Sequence, residues 1–311
     1  MEPTNALTAQ DVAERLHVSK GTVYNLVNSG SLGHYKVGRK LRFTESAVTD
    51  YIKRFQSEDL SLLPDTFPWS DPGSVRRSRE SFIICGQDLL LDVLSNYMHL
   101  HNIPALRYYI GSYDSLICLY KNKVSVASTH LWDGAKDEYN IAFVKRLLAG
   151  TPVVIIHMAC RTQGFYVRKG NPKQINTWRD LLRSDVVLIN REYGSGSRVL
   201  LDEKLKLLGV YGNSIKGYNR SVNSHLAIAS AISGGQADVG VGIEKVARQV
   251  DNIEFIPLKR ERYDIVYKKE NENLPEIQIM RQIIASPAYR QEITNVGGYD
   301  TAEMGNLVAE V

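Results

Sequence analysis

Four short motifs gather groups suited to holding an anion without a formal positive charge. They are Cys85-Gly86-Gln87-Asp88, Gly111-Ser112, Ser128-Thr129-His130 and Gly194-Ser195-Gly196-Ser197-Arg198. Each follows a short apolar run and opens a helical pattern. The first turn of a helix leaves backbone N–H groups unpaired, and its dipole adds partial positive charge there. Glycine lets the backbone approach a ligand, and serine hydroxyls add donors. Arg161, Arg191 and Arg198 lie in the same region. Turned inward, they would suit a larger or more highly charged anion, such as a carboxylate or a phosphate-bearing molecule. No catalytic set accompanies these groups. GSGSR is not a GxSxG elbow, no ordered acid–histidine pair follows it, and there is neither a Walker loop nor a dinucleotide fingerprint. The chain is expected not to be an enzyme.

A different chemistry stands near the N-terminus. Tyr35 to Phe43 alternates like a strand pair around Gly38, and Lys36, Arg39, Lys40 and Arg42 put four cations into seven residues. That density suits a wing lying on phosphates. The elements ahead of it position a reading helix. Thr8 is an N-cap for a helix whose apolar face is Val12, Ala13 and Leu16. His17-Val18-Ser19 is a turn, and Ser19 caps a second helix that buries Val23, Leu26 and Val27. Lys20, Thr22, Tyr24, Asn25 and Asn28 are left on its other faces, the short polar equipment a major groove accepts. Gly30 and Gly33 end that helix. Thr44 caps a further one through Ala47, Val48, Tyr51 and Ile52. At these residues the chain resembles the excisionase and MerR-type winged helix-turn-helix family, over residues 1–55. The resemblance implies double-stranded DNA as a partner, with Ser19, Lys20, Thr22, Tyr24, Asn25, Lys36, Arg39, Lys40 and Arg42 as contacts.

A chain of 311 residues is far longer than such a head, and a net charge of +4 is too modest for a general polyanion binder. The N-terminal stretch has acids and no apolar segment, so no secretion signal is read, and the expected location is cytoplasmic. No run approaches the roughly 18 apolar residues of a membrane span. Cys85, Cys118 and Cys160 lie far apart and match no zinc spacing. They read as reduced, buried thiols, and no metal site is expected.

Residues 56–80 read as a linker. Pro64, Pro68 and Pro72 punctuate it, a short helix is possible near 58–63, and Leu62, Leu63, Phe67 and Trp69 are too apolar for free solvent. Residues 81–311 then alternate strands and helices. Strands are expected at 81–85, 106–110, 124–128, 153–159, 165–168, 186–189 and 238–241. Helices are expected at 89–101, 112–121, 136–148, 178–182, 197–208 and 223–233. This pattern argues an α/β body with a mostly parallel sheet, helices on both faces, and two lobes around a cleft.

The body resembles the type II periplasmic-binding-protein fold, and more narrowly the cytosolic domains related to molybdate- and tungstate-binding proteins that are fused to helix-turn-helix heads. The likeness rests on GxD at 86–88, GS at 111–112, THLWD at 129–133, RTQGFYVRKGNP at 161–172 and NREYGSGSR at 190–198. It continues through the run at 217–242 and RERYD at 260–264. It implies a two-lobed domain closing on a small anion, with molybdate or tungstate first. It places Ser112, Ser195, Ser197 and the amides of Gly194 and Gly196 at the ligand. Thr129, His130, Arg161, Arg198 and Tyr218 become cleft candidates. Where the family often has an acidic residue before its Ser/Thr-His pair, this chain has Ser221-Val222-Asn223. The whole reads as a one-component transcription regulator, expected as a homodimer or higher homo-oligomer. A sensor of a small organic acid is one alternative, and a DNA-architectural, excisionase-like factor with a non-sensing body is another.

Overall fold

The computed structural model describes residues 7–15, 20, 23, 27, 32–37, 40–49 and 82–311. The chain divides into two compact units, 1–79 and 80–311. The linker, with its expected helix and its apolar residues, lies outside the described residues.

In the head, Thr8 and Asp11 cap helix α1 (Ala9–Arg15) reciprocally. Thr8 Oγ1 accepts from the Asp11 amide at 3.3 Å, and an Asp11 carboxylate oxygen accepts from the Thr8 amide at 2.8 Å. Lys20, Val23 and Val27 are helical. The wing is an antiparallel pair, β1 (Tyr35–Val37) and β2 (Lys40–Arg42). Thr44 caps the following helix, described over residues 45–49, through the Ala47 amide. Val12, Val23, Phe43 and Val48 form the small core these elements share. Leu16, Leu26, Tyr51 and Ile52 lie outside the described residues.

The body is built on one seven-stranded sheet. Strands β3 (Phe82–Cys85), β4 (Ala105–Tyr108) and β5 (Val126–Thr129) alternate with helices α2 (Leu89–Leu100) and α3 (Ser112–Tyr120). A hairpin, β6 (Trp132–Asp133) and β7 (Glu138–Tyr139), precedes α4 (Ile141–Leu147). Strand β8 (Val153–Arg168) leads to β9 (Asn190–Arg191), α5 (Gly196–Leu207), β10 (Ser221–Val222), α6 (His225–Ser233), β11 (Val239–Ile243) and α7 (Glu244–Ala247). Strand β12 (Ile253–Lys268), α8 (Pro275–Ala285), α9 (Pro287–Val296) and β13 (Leu307–Glu310) complete the fold. Spatial order is β11-β8-β12-β5-β3-β4, with β13 also on β8.

Two lobes share the pair β8 and β12. In the first, the front half of β8 and the back half of β12 join β3, β4, β5 and β13. In the second, the remaining halves join β11. Each lobe is cored on both faces of its sheet. In the first lobe, Leu90, Met98 and Met280 pack one side and Leu116, Val144 and Ile155 the other. In the second, Phe165, Leu201 and Val241 oppose Ile228 and Ile232.

Several expectations need correction. The sheet is mixed, not mostly parallel. Only β3 pairs in parallel, with β4 and β5, while the β12, β8, β11 and β13 ladders are antiparallel. Residues 153–159 and 165–168 belong to one 16-residue strand, because the polar run between them is paired across to β12. The helix expected at 136–148 begins at Ile141. Asp137 and Asn140, at φ 51° and 69°, turn the chain into the hairpin first. The strand expected at 186–189 is reduced to a bridge between Leu188 and Val239 and the two-residue β9.

Candidate functional site

A cavity of about 470 Å³ lies where the helix N-termini of both lobes meet the β8–β12 crossover. Asp88 caps α2, Ser112 opens α3, Ser195 caps α5, and Ser224 caps α6, whose first residue is His225. Ser128 at the end of β5 and Arg161 at the middle of β8 complete the wall.

Which hydroxyl protons remain to donate decides what this wall can hold. Ser112 Oγ accepts from the His130 amide at 3.3 Å, Ser128 Oγ accepts from the Tyr263 hydroxyl at 2.7 Å, and Ser224 Oγ accepts from the Ala227 amide at 3.0 Å. Each serine is thus held by one bond, and its own proton has no acceptor among the described residues. Ser195 also lines the cavity, but its hydroxyl donates to the Glu192 carbonyl at 3.0 Å. Two glycines make room for these groups. A Cβ on Gly86, at φ +143°, would stand 1.9 Å from Ser128 Oγ, and one on Gly196 would stand 2.2 Å from the His130 ring.

The cavity's arginines carry their own counter-charges. Arg161 is buried, with its Nε and Nη2 3.1 and 2.7 Å from Glu261 Oε1 and its Nη1 on Asp88. Its guanidinium lies 4.7 Å over the Tyr263 ring. Burial alone would raise the Glu261 carboxyl, yet Arg161 holds it below its ordinary value, so it stays ionised. His130 Nδ1 stands 2.5 Å from the same Glu261 oxygen. Arg191 grips Glu192 through two bonds of 2.7 Å and Gln87 through one of 2.6 Å. His225 is pushed well below its ordinary value by burial and then by the charge of Arg191, which leaves it neutral.

Of the residues expected at the ligand, Ser112, His130, Arg161 and Ser195 line the cavity. The others are placed elsewhere. Thr129 turns to the far side of β5 and donates to Asn140 Oδ1 at 3.2 Å. The Gly194 carbonyl accepts from the Tyr113 amide at 3.0 Å, which fixes the loop. Gly196 only admits His130. Ser197 Oγ accepts from Gln163 at 3.2 Å. Arg198 is buried between the rings of Tyr193 and Tyr218, 4.1 and 4.2 Å away, and it and the Tyr218 hydroxyl both bind Asp202. That stack builds the lobe and lies off the cavity. Gln87, Asp88 and Ser128, from two of the helix-opening motifs, line it as well, and so do Asn223, Ser224, Tyr263 and Tyr299, which had not been singled out as ligand residues. Helix-opening positions such as Asp88 and Ser224 were the usable signal. Tyr263 and Tyr299 had none, because they arrive from remote segments.

In the head, Lys20 and Lys40 are exposed, and half-buried Arg42 donates to the Leu41 carbonyl at 3.0 Å. Ser19, Thr22, Tyr24, Asn25, Arg39 and the side chain of Lys36 lie outside the described residues.

A family model described as a helix-turn-helix domain matches residues 6–56, and one described as a PBP superfamily domain matches residues 95–285. The chain belongs to the PBP superfamily. YvgK, an uncharacterized protein of Bacillus subtilis (strain 168), is 40% identical over 316 residues, spanning 100% of both chains. Among solved structures, an ABC transporter substrate-binding protein from Clostridium perfringens with bound phosphate aligns at TM-score 0.52 and 14% identity, over 70% of this chain and 98% of that one. The tungstate ABC transporter from Geobacter sulfurreducens aligns at TM-score 0.52 and 13% identity, over 70% of this chain and 98% of that one. At that identity the likeness is one of fold. A helix-turn-helix domain joined to a PBP-like domain makes a ligand-binding, DNA-binding regulator.

Proposed function

We propose that the chain is a cytoplasmic, dimeric transcription regulator whose body senses a tetrahedral oxyanion, molybdate or tungstate first. One observation carries this reading. Ser112, Ser128 and Ser224 keep free hydroxyl protons on the cavity wall, while Arg161 and Arg191 are already matched by carboxylates. Neutral, pre-oriented donors suit an anion that only accepts hydrogen bonds. Fold neighbours whose names carry phosphate and tungstate support the class. A head this small touches few base pairs, so two heads on a two-fold related site are expected.

Thermal unfolding of the full chain tests this with molybdate, tungstate, sulfate, phosphate and a panel of organic acids. A specific ligand at about 100 times its Kd adds roughly 2.7 kcal/mol. The double variant Ser112→Ala, Ser128→Ala should lose that gain while DNA binding persists. A variant that responds in full would remove the cavity from the mechanism. A second reading, an organic-acid effector, is favoured by the cavity's size. At about 470 Å³, with Tyr109 and Tyr299 on its wall, it falls in the range of organic ligand sites, about 300–1,000 Å³. A shift with an organic acid alone would select that reading.

For the head, Lys40→Ala with Arg42→Ala is expected to weaken DNA binding evenly across sequences. It should also flatten the salt dependence by about one unit of slope per lost phosphate contact. Unaltered slopes in a salt titration would remove the wing from the phosphates.

A further inference from the structure

His157, Cys160 and Asp264 form a buried chain of contacts on the crossover strands that the proposed ligand cavity does not use. Asp264 Oδ1 is 3.0 Å from His157 Nδ1, and His157 Nε2 is 3.8 Å from Cys160 Sγ. A bulge makes this possible. The β12 register passes from Tyr263 opposite Ala159 to Asp264 opposite His157, skipping Met158. Residues three apart in a regular strand face opposite sides, and the skipped residue brings His157 and Cys160 together. Asp264 is fixed by Asn140 at 2.7 Å and by Arg262 at 2.9 Å, so the carboxylate that orients the imidazole is itself held in place. Cys160 in turn lines an open pocket of about 530 Å³, separated from the ligand cavity by Arg161 and Tyr299, which line both.

We propose that Cys160 is an activated thiol and a site of oxidation by a small neutral peroxide, set beside the hinge of the sensing body. A nucleophilic thiol next to an oriented imidazolium, on the wall of a pocket, is the environment of reactive cysteines. Burial opposes charge on His157, but the hydrogen bonds to Asp264 and Cys160 outweigh it and raise the imidazole to about 9, so it is protonated at neutral pH. The cations and acids around the pocket mouth are spent on one another, Arg260 with Asp300 and Lys259 with Asp137. With Glu244 paired to Arg248 as well, no charge lining the pocket is unmatched among the described residues, so nothing there selects an ionic oxidant. Once the Cys160 thiol has lost its proton to solvent, its sulfur attacks one oxygen of hydrogen peroxide. An S–O bond forms, the O–O bond breaks, and the departing hydroxide takes the Nε2 proton of His157. The products are a sulfenic acid, water and a neutral imidazole, with sulfur oxidised by two electrons and the peroxide reduced by two. Cys160 is bonded to Asp300 through both backbone groups and adjoins Arg161 in the chain, so the new oxygen is added at the junction of the lobes.

The other thiols supply the control. Cys118 is more exposed than Cys160, and burial raises its thiol; Cys85 is fully buried and pushed up to about 12. Reactivity ruled by exposure would put Cys118 first. The experiment is timed labelling of the native full chain with iodoacetamide at pH 7, followed by peptide mass spectrometry, and in parallel hydrogen peroxide with dimedone to trap sulfenic acid. Cys160 is expected to label about tenfold faster than Cys118 and to carry the dimedone adduct, and His157→Gln should abolish that lead while Cys118 keeps its rate. Labelling of Cys118 first, or an unaltered Cys160 rate in His157→Gln, would overturn the proposal. If His157→Gln does not fold, the labelling order in the unaltered protein decides alone.

Discussion

Replacing Arg161 with methionine is expected to cost about 3–5 kcal/mol at neutral pH, as removal of one partner from a buried ion pair does. The loss comes from what remains. Asp88 and Glu261 are both nearly inaccessible, and Arg161 is the cation between them. The pH dependence identifies the cause. With Arg161 present, Glu261 is held below its ordinary value of 4.5. Its contribution to stability is therefore complete above that value and is lost as pH falls through the lower folded value. Without Arg161, only His130 still opposes burial and the carboxyl moves upward, so the variant regains stability as acid protonates it. Urea unfolding at pH 7 and near pH 4 should show a large gap between the two proteins that narrows in acid. Adding Glu261→Gln to the methionine variant should recover part of the loss. A pH-independent deficit would mean that packing, and not uncompensated charge, is the cost.

Trp132→Ala is expected to be as severe, about 3–5 kcal/mol, the usual range for emptying a buried aromatic site. Trp132 leaves the first lobe on the β6–β7 hairpin, yet it packs with Tyr139 among Phe165, Leu200 and Leu201 in the core of the second. Its indole N–H donates to Asp137 at 2.9 Å, and Lys204 and Lys259 lie 4.3 and 4.7 Å from its ring centroid. The Gly134 amide beside it donates to Glu203 of α5 at 3.1 Å. The hairpin is thus a clasp across the lobes, and swinging them apart requires withdrawing an indole from an apolar core. A lower urea midpoint with an unchanged slope is the expected result. A loss below about 1 kcal/mol would show the indole to be replaceable, and the clasp with it.

Local rules made much of this fold legible. Thr8 and Thr44 are caps because a side-chain oxygen three residues before an amide needs nothing distant to satisfy it. The helices at Leu89, Ser112 and Gly196 begin within a residue of where the motifs put them, and those motifs found Ser112 and Ser195 on the cavity wall. What failed depended on distance in sequence. Arg161 and Arg198 are alike as residues, but their roles are set by Glu261 and Asp88 for one, and by Tyr193, Tyr218 and Asp202 for the other. Strand β12 went unread because Lys259-Arg260-Glu261-Arg262 has the composition of a solvated loop. Its middle instead lies at the crossover, where Glu261 and Arg161 answer each other across paired strands. The same omission made the sheet look parallel, since β12 and its antiparallel ladders were missing from the count.

The shared long strands also set an order of assembly during synthesis. Apart from the β6–β7 hairpin, which is made earlier, the second lobe uses one unbroken stretch of chain, from the latter half of β8 to the first half of β12. The first lobe is split around it and closes only when β13 pairs with β8 and the Val311 amide donates to Val153. As the ribosome delivers the chain from its N-terminus, the inner lobe has all its parts while the outer one still waits for its final strand. The sheet edge reserved for β13 stays open until then. Loss of the Leu307–Glu310 strand therefore strikes the lobe that was begun first.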